Sequence, residues 1–160
     1  MELPDIVNIE KAYYPLLKKL GIGEIYRLEG NMLNRAERES FPFKVSTSDF
    51  KHSILKGKAN AIAFWERERF KIDKGLAEKM KENEIFIIFD IRVIKDNRLL
   101  PLLMNNAYIS NDYGVNAIFA TFCSKEEEIL SSYQIMSIAE TLGYRYSNLR
   151  RSYKRLLELS

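Results

Sequence analysis

Residues 85–92 read Ile-Phe-Ile-Ile-Phe-Asp-Ile-Arg and decide the fold class of this chain. The first five are all apolar, without the alternation of a strand that has one face in water. Such a run is typical of a strand covered on both faces, as in a parallel sheet. Asp90 and Arg92 follow at its carboxyl end, where barrels and doubly wound sheets place functional groups. An internal ion pair that closes this end is an equally good interpretation of the two charges.

Outward from this strand, expected for 84–94, apolar runs alternate with segments of helical spacing. Further strands are expected at 24–28, 43–45, 61–65 and 117–122. Helices are expected at 9–20, 99–108, 134–142 and 147–159, with two more capped by Asp49, ending at Gly57, and by Asp73. Ser124 with Glu127 fits a capping box, and 31–40 is read as a loop or frayed helix.

This order predicts an α/β fold, either a reduced TIM-barrel-like arrangement of parallel strands with surrounding helices or an open doubly wound sheet. The chain has 160 residues and 46% hydrophobic side chains, which suits a single domain over 1–160. A full eight-unit barrel takes at least about 200 residues, so a barrel here would have shortened helices or missing units.

The sequence contains no motif of several common enzyme classes. No P-loop, dinucleotide fingerprint, zinc spacing or nucleophile elbow occurs, and we expect no metal site of its own, although a magnesium site made of carboxylates stays open. Cys123 and His52 are the single residues of their types, and we expect Cys123 to be buried at a strand end. No apolar run reaches membrane-spanning length and no secretory signal is visible, so a cytosolic protein is expected.

Positive charge is concentrated at the carboxyl end of the chain. The formal net charge is only +3, but from Tyr144 to Ser160 five basic residues accompany a single acidic one. In the expected helix over 147–159, Leu149, Tyr153, Leu156 and Leu157 share one face. The cations, which fall largely elsewhere on that helix, are Arg150, Arg151, Lys154 and Arg155. They can each bind a phosphate or simply form a solvated face.

Residues 65–70, Trp-Glu-Arg-Glu-Arg-Phe, mix charges with aromatic side chains. Phosphate-binding loops and ordinary solvated loops both have this composition.

Three stretches carry a resemblance to a known family. Residues 49–57, Asp-Phe-Lys-His-Ser-Ile-Leu-Lys-Gly, precede Asn60-Ala61-Ile62; residues 72–77, Ile-Asp-Lys-Gly-Leu-Ala, precede the strand that ends at Arg92; and residues 120–123, Ala-Thr-Phe-Cys, precede Gly143 by one helix. Their order and spacing resemble the archaeal family of ribonuclease P protein component 3 from about residue 46 to residue 157. The first 45 residues match poorly, and the N-terminal strand of the family is expected to be missing.

The chain departs from the family pattern in two motifs. An Arg-x-Pro-x-Asp segment of the family corresponds here to Leu130, Ser132 and Gln134, so the role of that arginine is not carried over. A family histidine corresponds to Lys74, which keeps a positive charge but has different hydrogen-bonding geometry.

The resemblance implies a barrel-like protein without catalytic residues of its own. It would bind the catalytic RNA of ribonuclease P and a partner subunit, protein component 2, and so support removal of 5′ leaders from precursor tRNA. The holoenzyme is an endoribonuclease whose chemistry, with its magnesium ions, belongs to the RNA; this chain needs no cofactor. The RNA-binding residues matched through the family are Lys51, Arg67, Arg69, Lys74 and Arg92.

Two other function classes stay open. The first is a barrel phosphoesterase that binds magnesium or manganese through carboxylates such as Asp90 and Glu66. The second is a scaffold whose tail helix packs only on another protein, in which case binding would be insensitive to salt.

Overall fold

The computed structural model describes residues 1–37 and 43–159. In these ranges the strands are β1 (Leu3–Ile6), β2 (Ile22–Glu29), β3 (Met32–Arg35), β4 (Val45–Ser46), β5 (Ala61–Ala63), β6 (Phe86–Asp90) and β7 (Ala117–Ala120). The α-helices are α1 (Tyr14–Lys19), α2 (Phe50–Lys56), α3 (Lys74–Glu82), α4 (Leu100–Asp112), α5 (Ser132–Thr141) and α6 (Tyr146–Leu159). Short 3-10 helices cover Lys11–Tyr13, Ile91–Lys95 and Glu126–Glu128.

Strands β4 to β7 form a parallel four-stranded sheet in chain order, and this confirms the predicted α/β class. Every residue of β6 is buried, as the unbroken apolar run predicts. The strand ends at Asp90, four residues earlier than expected, because the Asp90 carboxylate accepts a hydrogen bond from the Arg92 amide at 3.0 Å and caps a 3-10 helix.

Side chains that alternate along the strands enter two separate apolar clusters. The helix cluster takes Ile62, Ile87 and Phe119 from one face of the sheet and packs them against helical residues such as Ile54 and Leu103. The strand cluster combines buried residues from the opposite face with residues of β1, β2, β3 and α6. They are Ile6, Tyr26, Leu33, Phe43, Val45, Ala61, Ala63, Phe86, Ile88, Ile118, Ala120, Phe122 and Leu156. Both faces of the parallel sheet are therefore covered.

A second sheet, in the order β1-β2-β3, covers the face of the parallel sheet that contributes to the strand cluster. At one side the Leu33 amide donates to the Phe43 carbonyl at 2.9 Å, next to an antiparallel bridge between Met32 and Lys44. At the other side the Phe122 amide donates to the Ile6 carbonyl at 2.9 Å. Backbone hydrogen bonds thus join the second sheet to both flanks of the first.

This second sheet corrects two expectations. An N-terminal strand is present, since Leu3–Ile6 forms β1 in parallel with β2. The prediction of a loop or frayed helix over 31–40 is wrong at Met32–Arg35, which pairs with β2 as β3; residues 38–40 lie outside the described residues. The parallel pairing of β1 with β2 is information that local propensity does not contain. β3 instead pairs antiparallel with β2 through the two-residue turn Gly30-Asn31, with φ 60° at Gly30, which is a local hairpin signal.

The helix signals are mostly confirmed. The Asp73 side chain accepts from the Leu76 amide at 2.8 Å, and Gly57 ends α2 in the left-handed conformation, with φ 60°. The capping box predicted at Ser124 is wrong. It lies at Ser131 and Gln134 instead, while the Ser124 hydroxyl donates to Glu128 at 2.9 Å.

Candidate nucleic-acid interface

All five cations matched through the family resemblance follow carboxyl ends of parallel strands. Lys51 lies in the first turn of α2 after β4, and Lys74 is the first residue of α3. Arg67 and Arg69 lie in the turn between β5 and α3, and Arg92 follows β6. We call this side of the β4–β7 sheet the carboxyl edge. The structure therefore places the five matched side chains, each of them exposed, at one edge.

Two loops of the carboxyl edge are tied together at Asp49. Its amide donates to Glu68 Oε1 at 2.9 Å, which links the start of α2 to the turn after β5. Asp49 precedes α2 as predicted, but it has φ 54° and its side chain makes no capping hydrogen bond. The contact with Glu68 positions the segment that carries Lys51.

The interpretation of Asp90 and Arg92 as an ion pair is confirmed. Arg92 Nε donates to Asp90 Oδ1 at 2.9 Å and Nη2 donates to Oδ2 at 2.7 Å, a two-pronged contact that fixes the guanidinium plane. The Asp90 side chain is 7% exposed and the Arg92 side chain is 49% exposed. Since the pair occupies only part of the guanidinium, Arg92 still presents charge to solvent along a groove of about 290 Å³ that Thr121 and Glu128 also line.

Two phenylalanines support the arginines of this edge. Phe64 directly follows β5, and the Arg67 guanidinium lies 4.6 Å from its ring centroid. Arg92 lies 5.1 Å from the ring centroid of Phe122, which is the second residue after β7. Trp65, in contrast, is fully buried and packs edge-on against Phe89 at 5.8 Å, so it is absent from the surface that residues 65–70 were expected to form.

Glu66 brings a second carboxylate close to Asp90. Burial raises the pKa of Glu66, and the negative charge of Asp90 raises it further. Glu66 Oε2 is buried without a hydrogen-bond partner among the described residues. Within 1–37 and 43–159 no three side chains of the His, Cys, Asp and Glu types come together as a metal-binding group.

The basic residues of α6, the tail helix, lie at the opposite ends of the strands. Arg151 Nη2 donates to the Gly114 carbonyl at 2.9 Å, just before β7. Arg155 pairs with Glu84, just before β6, at 3.0 Å, and with Glu158 at 3.1 Å. Arg150 and Lys154 are exposed, and no ion pair of theirs occurs in the described part of the chain. We call this side the amino edge; the structure thus divides the nine candidate cations between two edges.

The tail helix is anchored at the amino edge by buried contacts. Ser152 Oγ accepts from the Ala117 amide at 2.9 Å, at the start of β7. Leu156 is fully buried in the strand cluster, and Leu149 is 4% exposed in the helix cluster. The predicted apolar face is therefore confirmed at these two leucines, whereas Leu157 is 36% exposed.

Asp5 and Thr121 join the two sheets near the carboxyl edge, and sequence reasoning missed both. Asp5 is fully buried and accepts from the Thr121 amide at 2.8 Å and from the Thr121 hydroxyl at 2.7 Å. Burial raises the pKa of Asp5 to about 7, although these hydrogen bonds lower it. The nearby Cys123 is buried as predicted, and burial raises the pKa of its thiol, which leaves it a weak nucleophile.

Comparison with known proteins adds no family assignment. No family model matches the chain, and no curated protein matches it. Among the helices in the described ranges, none is long and apolar enough to cross a membrane.

Proposed function

We propose that this chain is a non-catalytic RNA-binding subunit of ribonuclease P, similar to protein component 3 of the archaeal enzyme. The observation that carries the proposal is the placement of Lys51, Arg67, Arg69, Lys74 and Arg92 at the carboxyl edge. They come from three separate loops, each of which follows a parallel strand of the same sheet. A set of exposed cations on one edge is the electrostatic footprint of a polyanion-binding protein.

The proposed architecture is a small closed barrel. Its support is the strand cluster, which draws buried side chains from all of β1 to β7. The hydrogen bonds of Leu33 with Phe43 and of Phe122 with Ile6 join the second sheet to both flanks of the first. A ring of strands around one apolar interior accounts for both sets of contacts.

RNA binding by the carboxyl edge would be mainly a counterion effect. Each lysine or arginine that meets a phosphate releases condensed cations from the RNA, so affinity falls as salt rises. Neutralising phosphates in this way reduces the magnesium that the RNA needs to fold into its active form. The residues of this chain bind and position the RNA, and the magnesium ions of the holoenzyme RNA supply the chemistry.

Arg150 and Lys154 would add phosphate contacts at the amino edge. Their side chains extend from α6 into solvent, whereas Arg151 and Arg155 already bind the carbonyl of Gly114 and the carboxylate of Glu84. Protein component 2 is the proposed protein partner and precursor tRNA the proposed substrate of the assembled enzyme.

Reconstitution tests this function directly. Precursor tRNA is incubated with the cognate RNA subunit and the remaining protein subunits, with and without this chain, at a magnesium concentration that limits the RNA alone. We expect the chain to increase 5′-leader cleavage and to lower the magnesium required. Equal cleavage rates with and without the chain would contradict the proposed function.

The alternative function is a metal-dependent phosphoesterase. Its specific support is the buried Glu66 Oε2, which has no partner in the described ranges and lies near Asp90. Both Asp90 oxygens, however, already accept hydrogen bonds from Arg92. Hydrolysis of a phosphodiester by the pure chain with manganese, abolished by Glu66→Gln, would favour this alternative over the ribonuclease P assignment.

A further inference from the structure

Phe64 and Phe122 meet across the end of β6. Phe64 follows β5 and Phe122 follows β7, and these strands flank β6 on its two sides. Their ring centroids are 5.4 Å apart, with the planes tilted by 38°. Two loops from opposite sides of one strand therefore deliver their aromatic rings to the same place.

Both phenylalanines have an unusual backbone conformation. Phe64 has φ 58° and Phe122 has φ 47°, in the left-handed region that bulky side chains rarely occupy. Such conformations persist only where the surrounding packing enforces them, and they are concentrated at functional sites. Here the enforced conformations turn the two rings toward each other at the carboxyl edge.

Each ring supports one guanidinium. Arg67 lies 4.6 Å from the centroid of Phe64, and Arg92 lies 5.1 Å from the centroid of Phe122. The Asp90 carboxylate also holds Arg92 in plane. Arg67 is exposed and forms no side-chain hydrogen bond or ion pair within the described residues. The rings therefore fix the two planar cations while leaving part of each open to a ligand.

We propose that this Arg67–Phe64–Phe122–Arg92 cluster is a stacking platform for unpaired nucleotides, so that the carboxyl edge binds single-stranded RNA in preference to duplex. The inference rests on the proposed RNA-binding function and specifies its ligand. A guanidinium plane backed by an aromatic ring stacks on a base and also binds phosphate. In a duplex the base faces are hidden by neighbouring base pairs, so only the phosphate contacts remain.

The test replaces the planar guanidinium group of Arg67 with the ammonium group of lysine, which keeps the positive charge. Affinities of the wild-type chain and of Arg67→Lys are measured for an unpaired RNA oligonucleotide, for the same oligonucleotide with abasic sites, and for a duplex of equal length. Arg98→Lys is the matched control, because Arg98 is exposed in the segment after β6, is not among the proposed RNA-binding residues and has no ring contact in the described ranges. All variants keep the net charge.

We expect Arg67→Lys to weaken binding of the unpaired oligonucleotide roughly threefold to tenfold, the size of a lost stacking contact. Binding of the abasic oligonucleotide and of the duplex should be nearly unchanged, and Arg98→Lys should affect none of the three. Equal losses for unpaired RNA and duplex, no loss at all, or an equal loss from Arg98→Lys would each overturn the platform. So would a failure of the wild-type chain to bind unpaired RNA.

The result separates the two proposals. A chain that stimulates precursor-tRNA cleavage while Arg67→Lys binds unpaired RNA like the wild type refutes the platform and leaves the ribonuclease P function. A chain that binds unpaired RNA through Arg67 without stimulating cleavage supports the platform and refutes that function.

Discussion

The two edges of the parallel sheet carry similar numbers of candidate cations, but in the described residues four of five at the carboxyl edge and two of four at the amino edge form no side-chain hydrogen bond or ion pair. At the carboxyl edge, Lys51, Arg67 and Lys74 are exposed and form no ion pair within the described ranges. At the amino edge, Arg151 and Arg155 bind a backbone carbonyl and two carboxylates. A count of basic residues therefore does not select an RNA surface, because some of those charges already have partners in the fold.

Removal of the Leu156 side chain tests whether the tail helix is anchored in the apolar core. Leu156 is fully buried in the strand cluster, so Leu156→Ala should lower the free energy of unfolding by about 2–5 kcal/mol. Leu157→Ala is the control, since Leu157 is 36% exposed and should cost much less. Urea denaturation measures both variants. Equal losses would mean that the tail helix is not anchored at Leu156.

The pH dependence of stability tests the junction near the carboxyl edge. The pKa of Asp5 rises from 3.8 to about 7 on folding, so the folded state binds this proton more tightly than the unfolded state. The contribution of Asp5 to the free energy of unfolding is therefore complete below the pKa of the unfolded state and is lost as pH rises through the pKa of the folded state. Each unit of difference between the two pKa values corresponds to about 1.4 kcal/mol. Asp5→Asn should remove this pH-dependent contribution. The measurement is the free energy of unfolding as a function of pH for the wild type and for the variant. Parallel profiles from pH 4 to 8 would contradict the burial of an ionisable Asp5.

The Asp90–Arg92 ion pair of the carboxyl edge should contribute more to the stability of the fold than the Arg155 ion pairs of the amino edge. Arg92→Ala leaves the buried Asp90 carboxylate without its partner, and we expect a loss of about 1–2 kcal/mol, reduced from the fully buried case because Arg92 is half exposed. Asp90→Asn in the same chain should restore part of the loss. Thermal denaturation gives both values, and no recovery in the double variant would contradict the explanation.

Arg155→Ala should have the smallest effect on stability. Its partners Glu84 and Glu158 are largely exposed, and solvent screens such pairs. Thermal denaturation at low and at high salt should show little change at either concentration. A loss as large as that of Arg92→Ala would mean that the amino-edge pairs stabilise the fold as strongly as the carboxyl-edge pair.

The sequence predicts those parts of the fold that local patterns specify. The run ending at Phe89 shows a strand covered on both faces, and Asp73 and Gly57 mark helix ends. Strand β1 was missed because Pro4 lacks an amide hydrogen and Asp5 is a charged residue in an interior position. Its place depends on hydrogen bonds to Thr121 and Phe122, more than a hundred residues away in sequence.

The candidate site was predictable to a similar degree. Arg67 and Arg92 could be selected because they follow apolar strands. The supporting role of Phe64 and Phe122 could not, since each has an apolar strand-like context and a positive φ that no local signal demands. Only the meeting of two loops across β6 explains that conformation.

The salt dependence of binding to the ribonuclease P RNA shows which edge of the sheet contacts the phosphates. The triple variant Lys51→Ala, Arg67→Ala, Lys74→Ala is compared with Arg145→Ala, Arg150→Ala, Lys154→Ala, which removes the same charge from exposed positions of the carboxyl-terminal segment. The carboxyl-edge variant should reduce the slope of log affinity against log salt by about 2, since each lost phosphate contact contributes about 0.7–0.9. The tail variant should reduce it less. Equal slopes for the wild type and the carboxyl-edge variant, or a larger change in the tail variant, would contradict the assignment of RNA binding to the carboxyl edge.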